Sequence, residues 1–136
     1  MDIQEALEFI TTEHQAVLAT LKADGTPQLS PVTVGVDDAG RAVISTRQTA
    51  YKVKNVRRDP RVWLCALPGT FYGTWVQIEG TADILELPEA MDGLIDYYRR
   101  ISGEHPDWDD YRAAMERDKR VLLRVTIDKA GPNVSG

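Results

Sequence analysis

The Asp24-Gly25 pair is the feature that most constrains how this chain can fold. Asp-Gly readily forms the tight turn of a β-hairpin, because its backbone tolerates the left-handed conformations that such a turn requires. The preceding stretch, Gln15 to Lys22 (QAVLATLK), is typical of a β-strand, and the following stretch, Gln28 to Asp37 (QLSPVTVGVD), alternates apolar residues imperfectly. The pair therefore predicts an antiparallel hairpin near the start of the chain.

Pro31 lies in the middle of the second predicted strand. Proline has no backbone N–H to donate to a neighbouring strand, so a bulge or an exposed sheet edge is expected here. Of four further strand-like segments, Phe71 to Leu87 is long enough that Gly73 or Gly80 is expected to bend it. The other three are Ala42 to Thr46 (AVIST), Arg61 to Pro68 (RVWLCALP) and Arg120 to Asp128 (RVLLRVTID). RVWLCALP is apolar enough to predict burial on both of its faces.

Apolar residues at helical spacing predict four helices. The first has an N-cap candidate at Asp2 with Glu5 three residues further on, and the second must end before Pro60. The predicted helical segments are 2–14, 51–59, 88–102 and 107–119. Five hairpin-linked strands, two late helices and a closing strand predict one α+β domain over residues 1–136, with a six-stranded antiparallel barrel.

Composition excludes several classes of function. The net charge of −5 and the pI near 5.0 argue against general nucleic-acid binding, since such domains are usually basic. No apolar run approaches the roughly 20 residues of a membrane span, and the acidic start (MDIQEALEFI) is unlike a signal peptide, so we expect a cytoplasmic protein. The two histidines, His14 and His105, stand far apart and away from Cys65, which predicts no metal site. No catalytic nucleophile motif is present.

Basic residues are concentrated between Arg47 and Arg61, where six of the sixteen lysines and arginines of this acidic chain occur. Two hydroxyl residues, Ser45 and Thr46, come just before them at the end of a predicted strand. Hydroxyls, free backbone N–H groups at a helix start and a lysine are the groups that hold a phosphate. The cluster by itself is compatible with two interpretations, an anion site or a solvated helix face.

The chain resembles a known family in three segments, VLATLKADGTPQLSPV, ISTRQTAYKVKNVRRDPRV and VQIEGTADI, which occur in the family's order and spacing. They are similar to the pyridoxamine 5′-phosphate oxidase-like split β-barrel flavoproteins, and within these to the actinobacterial branch that uses the deazaflavin coenzyme F420. The most specific parts are Lys52 to Arg61 and Gly103 to Tyr111 (GEHPDWDDY). The resemblance covers nearly the whole chain.

This resemblance implies a homodimer with two equivalent cofactor sites in grooves between the subunits. It implies that the cofactor phosphate is held by Ser45, Thr46 and Lys52. The ring of the cofactor would lie against the second strand, at Gln28, Ser30, Pro31 and Val32.

The resemblance also implies residues at the margins of the groove. Trp75 and Gln77 would complete it from the other subunit. F420 ends in a lactyl-oligoglutamate tail, and Lys54, Arg57 and Arg58 would offer this chain of carboxylates a cationic path. Related sequences often have a basic residue two positions before the lysine, where this chain has Ala50. Arg47 could reach the same phosphate instead.

The implied activity is transfer of a hydride from reduced F420 to a conjugated small molecule, such as a tetrapyrrole of the biliverdin type or another unsaturated compound. The chemistry would reside on the cofactor, with no catalytic residue assigned, and a proton would come from Tyr72, Tyr51 or water. Two alternatives stay open: an FMN-binding oxidase or reductase of the pyridoxamine phosphate oxidase type, and a non-catalytic F420 carrier. No nucleic-acid or membrane partner is expected.

Overall fold

The computed structural model describes residues 1–133, and these form seven β-strands and four α-helices. The helices are α1 (Ile3–Thr12), α2 (Tyr51–Arg58), α3 (Met91–Ser102) and α4 (Trp108–Arg117). The strands are β1 (Gln15–Leu21), β2 (Pro27–Thr33), β3 (Gly35–Val36), β4 (Ala42–Arg47), β5 (Arg61–Leu67), β6 (Val76–Leu85) and β7 (Arg120–Ala130). The predicted α+β class is confirmed.

All seven strands belong to one curled antiparallel sheet in the order β2-β1-β5-β6-β7-β4-β3. The prediction of six strands is wrong by one, because the predicted strand from Gln28 to Asp37 divides at Val34. Val34 is fully buried, and its N–H donates to the backbone oxygen of His14 at 2.8 Å. After this residue the chain leaves β1 and pairs with β4, so one sequence segment supplies both edges of the sheet.

Pro31 and Gly80 occupy positions in the sheet that suit a residue without a backbone N–H and a residue without a side chain. Pro31 lies on the edge strand β2, as predicted, opposite Val17 of β1. The register of β6 against β7 shifts between Glu79 and Gly80. A Cβ atom at Gly80 would lie 2.2 Å from the backbone oxygen of Thr126, a distance that no other residue tolerates. Of the two glycines expected to bend this segment, Gly80 is therefore the one at the irregularity.

The two faces of the sheet are covered by different helices. Inside the curl, alternate strand residues pack with Ala6 and Ile10 of α1 and Val56 of α2. On the outer face of β4 and β7, a second cluster joins Leu94 of α3 and Tyr111 of α4 to the strands. The capping box predicted at the start of α1 is confirmed, since Asp2 Oδ1 accepts from the Glu5 N–H at 2.8 Å.

The outer face of β5 is covered neither by α1 and α2 nor by α3 and α4. The expectation that this strand is buried on both faces is wrong, because only alternate residues, Val62, Leu64 and Ala66, are buried. Trp63, Cys65 and Leu67 point to the other face and are partly exposed. Among residues 1–133, no helix is long and apolar enough to cross a membrane.

Candidate functional site

The main candidate site is a cavity of about 570 Å³ where the ends of β2 and β4 meet three helices. The register of β4 against β7 sets its base, because Ser45 lies opposite Leu122 and Arg47 opposite Arg120. Helix α2 begins just after β4 and brings Lys52 to the cavity, and α3 and α4 form the other wall. The cavity is lined by Pro31, Val32, Thr33, Ser45, Thr46, Lys52, Tyr97, Tyr98, Tyr111, Met115 and Arg120.

Two cations, Lys52 and Arg120, line this cavity without a carboxylate partner within residues 1–133. Burial lowers the pKa of the Lys52 ammonium, and the nearby charge of Arg120 lowers the pKa further. The Nε atom of Arg120 is buried and has no hydrogen-bond partner. Two partly desolvated like charges in one cavity form a site for an anion.

Hydroxyl and backbone groups lie beside these cations. Ser45 is partly buried and Thr46 is buried, and both line the cavity at the end of β4. Ala50 is the N-cap residue of α2, and no side chain caps this helix end. The first N–H groups of a helix lack intrahelical acceptors and attract anions, so the start of α2 adds to the anion-binding character of this corner.

Tyrosines form the opposite wall. The Tyr97 hydroxyl donates to the backbone oxygen of Thr33 at 2.7 Å, and that of Tyr111 donates to the backbone oxygen of Leu94 at 2.7 Å. Burial raises the pKa of Tyr111 to about 12, so this phenol stays protonated. The hydroxyl of Tyr98 has no hydrogen-bond partner in the described part of the chain, although its ring lies 5.1 Å from the ring of Tyr111.

The GEHPDWDDY segment builds the corner between α3 and α4 that holds this wall. Glu104 accepts a hydrogen bond from Trp108 Nε1 at 3.0 Å, and Asp107 caps α4 by accepting from the Asp110 N–H. His105 Nδ1 accepts from the backbone N–H of Asp107 at 2.9 Å, and its ring packs on Tyr98. These contacts give the segment a positioning role behind the cavity rather than a role as a ligand set.

Five of the site residues predicted from the sequence line the main cavity, whereas two of the predicted residues on β2 lie outside it. Pro31, Val32, Ser45, Thr46 and Lys52 line the cavity together. Gln28 and Ser30 do not line it. The Oε1 atom of Gln28 instead accepts from Asn55 Nδ2 at 3.2 Å, and Ser30 lies opposite Leu18 in the β1–β2 ladder.

The three cations expected to follow the cofactor tail are exposed and do not line the cavity. Lys54 Nζ lies 5.7 Å from the centre of the Tyr51 ring. Arg57 forms an ion pair with Glu86, and Arg58 donates to the backbone oxygen of Leu21 at 3.2 Å. Because helical positions rotate by about 100° per residue, Lys54 lies on the side of α2 opposite Lys52.

Trp75 and Gln77 lie away from the main cavity within this subunit. Trp75 lines a separate apolar cavity of about 250 Å³ with Cys65, Leu67, Phe71 and Tyr72. Gln77 lies opposite Cys65 in the β5–β6 ladder. The proton donors considered from the sequence are also elsewhere, with Tyr51 74% and Tyr72 80% exposed.

Sequence reasoning missed Arg120 and the wall residues Tyr97 and Met115, which the structure places in the cavity. Arg120 is the first residue of the closing strand β7, but only its pairing with the end of β4 brings it to this site. The adjacent tyrosines Tyr97 and Tyr98 within the predicted helix at 88–102 were the local signal for this wall.

Comparisons with known proteins agree with this architecture. The chain is 26% identical over 127 residues to the F420H(2)-dependent biliverdin reductase of Mycobacterium tuberculosis (strain CDC 1551 / Oshkosh), covering 92% of this chain and 83% of that protein. A conserved hypothetical protein of Mycobacterium tuberculosis has a similar crystal structure, with a TM-score of 0.78 and 30% identity over 96% of this chain and 82% of that one. The solved structure of an F420 reductase shares the fold, with a TM-score of 0.70 and 19% identity over 91% of this chain and 94% of that one.

The family assignment rests on the whole chain rather than on one motif. The family described as pyridoxamine 5′-phosphate oxidase matches residues 3–132, which include every strand and helix of the structure. The three segments that suggested this family lie at the β1–β2 hairpin, at β4 with α2, and at β6. The chain therefore belongs to the pyridoxamine 5′-phosphate oxidase family.

Proposed function

We propose that the protein is an F420-dependent oxidoreductase that reduces a conjugated small molecule. The observation that carries this proposal is the meeting of Ser45, Thr46 and Lys52 in one cavity, where no carboxylate of residues 1–133 forms an ion pair with the lysine. The similarity to a protein named F420H(2)-dependent biliverdin reductase favours F420 over other cofactors of the family. A tetrapyrrole of the biliverdin type is the substrate class that this relative suggests.

In this proposal the cofactor phosphate is held by Lys52 and the hydroxyls of Ser45 and Thr46. These groups fit an anion because the lysine is partly desolvated and the start of α2 is uncapped by any side chain. When bound, the deazaflavin supplies the hydride. The chain would position it, since Pro31 and Val32 on the edge strand line the same cavity as the tyrosine wall.

A proton must accompany the hydride, and we propose that it is held on the hydroxyl of Tyr98. Tyr98 lines the cavity and its hydroxyl has no hydrogen-bond partner within residues 1–133, whereas the hydroxyls of Tyr97 and Tyr111 donate to backbone oxygens. The neighbouring rings of His105, Trp108 and Tyr111 hold the phenol in place.

The acidic tail of F420 would leave the cavity along α2, where Lys54, Arg57 and Arg58 are exposed. Exposed ion pairs contribute only about 0.2–1 kcal/mol each, so this path would consist of several weak contacts that depend on salt concentration. The pairing of Arg57 with Glu86 would have to open for the arginine to bind a glutamate carboxylate.

We also propose a homodimer that forms through the uncovered face of β2, β1 and β5. Two neighbouring rungs of this face carry apolar residues: Val17 lies between Pro31 and Cys65, and Ala19 lies between Leu29 and Trp63. The Leu29 side chain is 65% exposed, and a second copy of the chain would cover it. In such a dimer, Trp75 and Gln77 would complete the groove of the partner.

The experiment that tests this function is a fluorescence titration of the purified protein with F420, and a separate titration with FMN. We expect F420 to bind more tightly than FMN, and the Lys52→Met variant to lose F420 binding. Turnover is then measured with reduced F420 and a panel of conjugated acceptors that includes biliverdin. Absence of F420 binding would reject the proposal. Tighter binding of FMN would favour an FMN-dependent enzyme, and F420 binding without turnover would favour a carrier.

A further inference from the structure

Arg120 stands out among the arginines of this protein because it is partly buried and has no acidic partner in the described part of the chain. Arg124, four residues further along β7, forms two hydrogen bonds with the Asp83 carboxylate at 2.8 and 2.9 Å. The two arginines point to the same face of the strand, since alternate strand residues share a face. The strand therefore carries one arginine that is neutralised and one that is left for a ligand.

The unpartnered state of Arg120 is unfavourable in the absence of a ligand. Its Nε atom is buried without a hydrogen bond, and a buried donor without an acceptor destabilises the folded state. Its charge adds to the burial that lowers the pKa of Lys52, and it partly opposes the rise that burial causes in the pKa values of Tyr97 and Tyr111. The guanidinium therefore influences several walls of the same cavity. An anion between Arg120 and Lys52 would neutralise both cations and accept their hydrogen bonds.

Arg47 is the competing cation. It lies directly opposite Arg120 in the β4–β7 ladder, but its side chain is exposed and does not line the cavity. Ala50, at the start of α2, supplies no charge. A phosphate site needs a second basic group beside Lys52. Arg120 of β7 can supply that group, whereas the residues between β4 and α2 cannot.

We propose that Arg120 is the second cationic ligand of the cofactor phosphate, acting together with Lys52, Ser45 and Thr46. This inference rests on the proposed function for the identity of the cofactor, but the ligand chemistry that it requires is only an organic phosphate. A guanidinium presents its donors in a planar fork, so it can bind two phosphate oxygens at once. Lysine cannot reproduce this geometry, and Arg120→Lys should be only a partial substitute.

The test compares Arg120→Met with Arg47→Met and with Arg112→Met, an exposed arginine on α4 that serves as the matched control. Each variant is titrated with F420, with FMN, and with two phosphate-free analogues, riboflavin and the deazaflavin that lacks the phosphate and tail. Loss of a charge-assisted contact predicts that Arg120→Met weakens F420 binding by about 10- to 100-fold. Arg47→Met and Arg112→Met should stay within about threefold of the wild type, as expected for exposed charges.

The phosphate-free analogues decide whether the effect acts through the phosphate. Arg120→Met should bind them as the wild type does, and Arg120→Lys should have an F420 affinity between those of wild type and Arg120→Met. Thermal unfolding checks that each variant is folded, and Arg120→Lys replaces Arg120→Met as the test variant if the latter is not. Unchanged F420 affinity, or an equal loss for the phosphate-free analogues, would overturn the assignment.

The outcome also separates this inference from the proposed function. If the wild type binds FMN but not F420, the proposed cofactor is wrong, and an Arg120-dependent loss of FMN affinity with riboflavin unaffected would still support the phosphate ligand. If F420 binds and Arg47→Met weakens it more than Arg120→Met does, the function stands and the role of Arg120 is rejected. Failure of the wild type to bind either phosphorylated cofactor would reject both.

Discussion

Lys52 of α2 and Arg120 of β7 line one cavity, and the charge of Arg120 adds to the burial that lowers the pKa of Lys52. Two cations that come from different parts of the chain therefore share a site for which residues 1–133 supply no neutralising carboxylate. This arrangement destabilises the ligand-free protein and favours the bound anion. It links the stability of the fold to the proposed function.

We predict that Lys52→Met raises the melting temperature of the ligand-free protein at neutral pH. The folded protein holds the Lys52 proton less tightly than the unfolded chain does, because the pKa is lowered below its usual 10.5. The charged lysine therefore destabilises the folded state at every pH below the lowered pKa. This penalty fades as the pH rises from the lowered pKa towards 10.5, because the lysine of the folded protein is then increasingly neutral.

The measurement is thermal unfolding of both proteins at neutral pH and at a series of pH values up to 10.5. Lys22→Met, at an exposed lysine of the β1–β2 turn, is the control and should leave the melting temperature at neutral pH nearly unchanged. A Lys52→Met protein that is less stable than the wild type at neutral pH would contradict the prediction.

We predict that Asn55→Ala lowers the free energy of unfolding by about 1–3 kcal/mol, the usual cost of leaving buried polar groups unpaired. Asn55 is only 5% exposed, and its Nδ2 donates to Thr20 Oγ1 at 3.0 Å and to Gln28 Oε1 at 3.2 Å. These bonds attach α2 to β1 and β2. Urea unfolding measures the change, and Gln4→Ala, at an exposed amide, should be nearly neutral. Equal stability of the two variants would argue against this role of Asn55.

We predict that Tyr98→Phe lowers turnover by about 100-fold or more while F420 affinity is unchanged, as expected for loss of a proton donor. The substitution removes only the hydroxyl, so the ring contacts with His105 and Tyr111 persist. Tyr72→Phe, at an exposed tyrosine outside the main cavity, is the control and should keep full turnover. Steady-state kinetics with reduced F420 provide the measurement. Wild-type turnover in Tyr98→Phe would reject Tyr98 as the proton donor and leave Tyr72, Tyr51 or water as the source.

We predict that replacing Lys54, Arg57 and Arg58 together with methionine weakens F420 binding and leaves FMN binding nearly unchanged, because FMN ends at its phosphate. Each exposed pair contributes about 0.2–1 kcal/mol, so the three together should lower F420 affinity by about 3- to 100-fold. Added salt should reduce the difference between the variant and the wild type. Titrations at low and high salt measure this. Equal weakening of F420 and FMN would show that the substitutions disturb the phosphate site instead.

We predict that Leu29→Glu converts a dimer into a monomer, because the charge would be buried against the apolar face of a second copy. Light scattering coupled to size-exclusion chromatography measures the mass over a range of concentrations. Ile3→Glu is the control, since Ile3 is 38% exposed on α1 and lies outside the β2–β1–β5 face. A wild type that stays monomeric, or a Leu29→Glu protein that stays dimeric, would exclude this face as the dimer surface.

Local chemistry explains which parts of the fold could be predicted from the sequence. The Asp24-Gly25 turn, the Asp2 capping box and the helix that carries Lys52 each depend on neighbouring residues, and all three are present. The division of the second predicted strand at Val34 was missed. It depends on a hydrogen bond to His14 and on a change of partner strand, which no local pattern reports.

The residues of the candidate site likewise fall into those that could be predicted from the sequence and those that could not. The sequence by itself determined that Ser45, Thr46 and Lys52 lie near one another, because they are close along the chain and only a strand end and one helical turn separate them. Only the tertiary structure decided that Arg120 joins them, that Gln28 bonds Asn55 instead, and that a wall of tyrosines faces them. The physical reason is that side chains from distant segments meet according to strand register and helix packing. These are set by burial of the whole core rather than by the residues at the site.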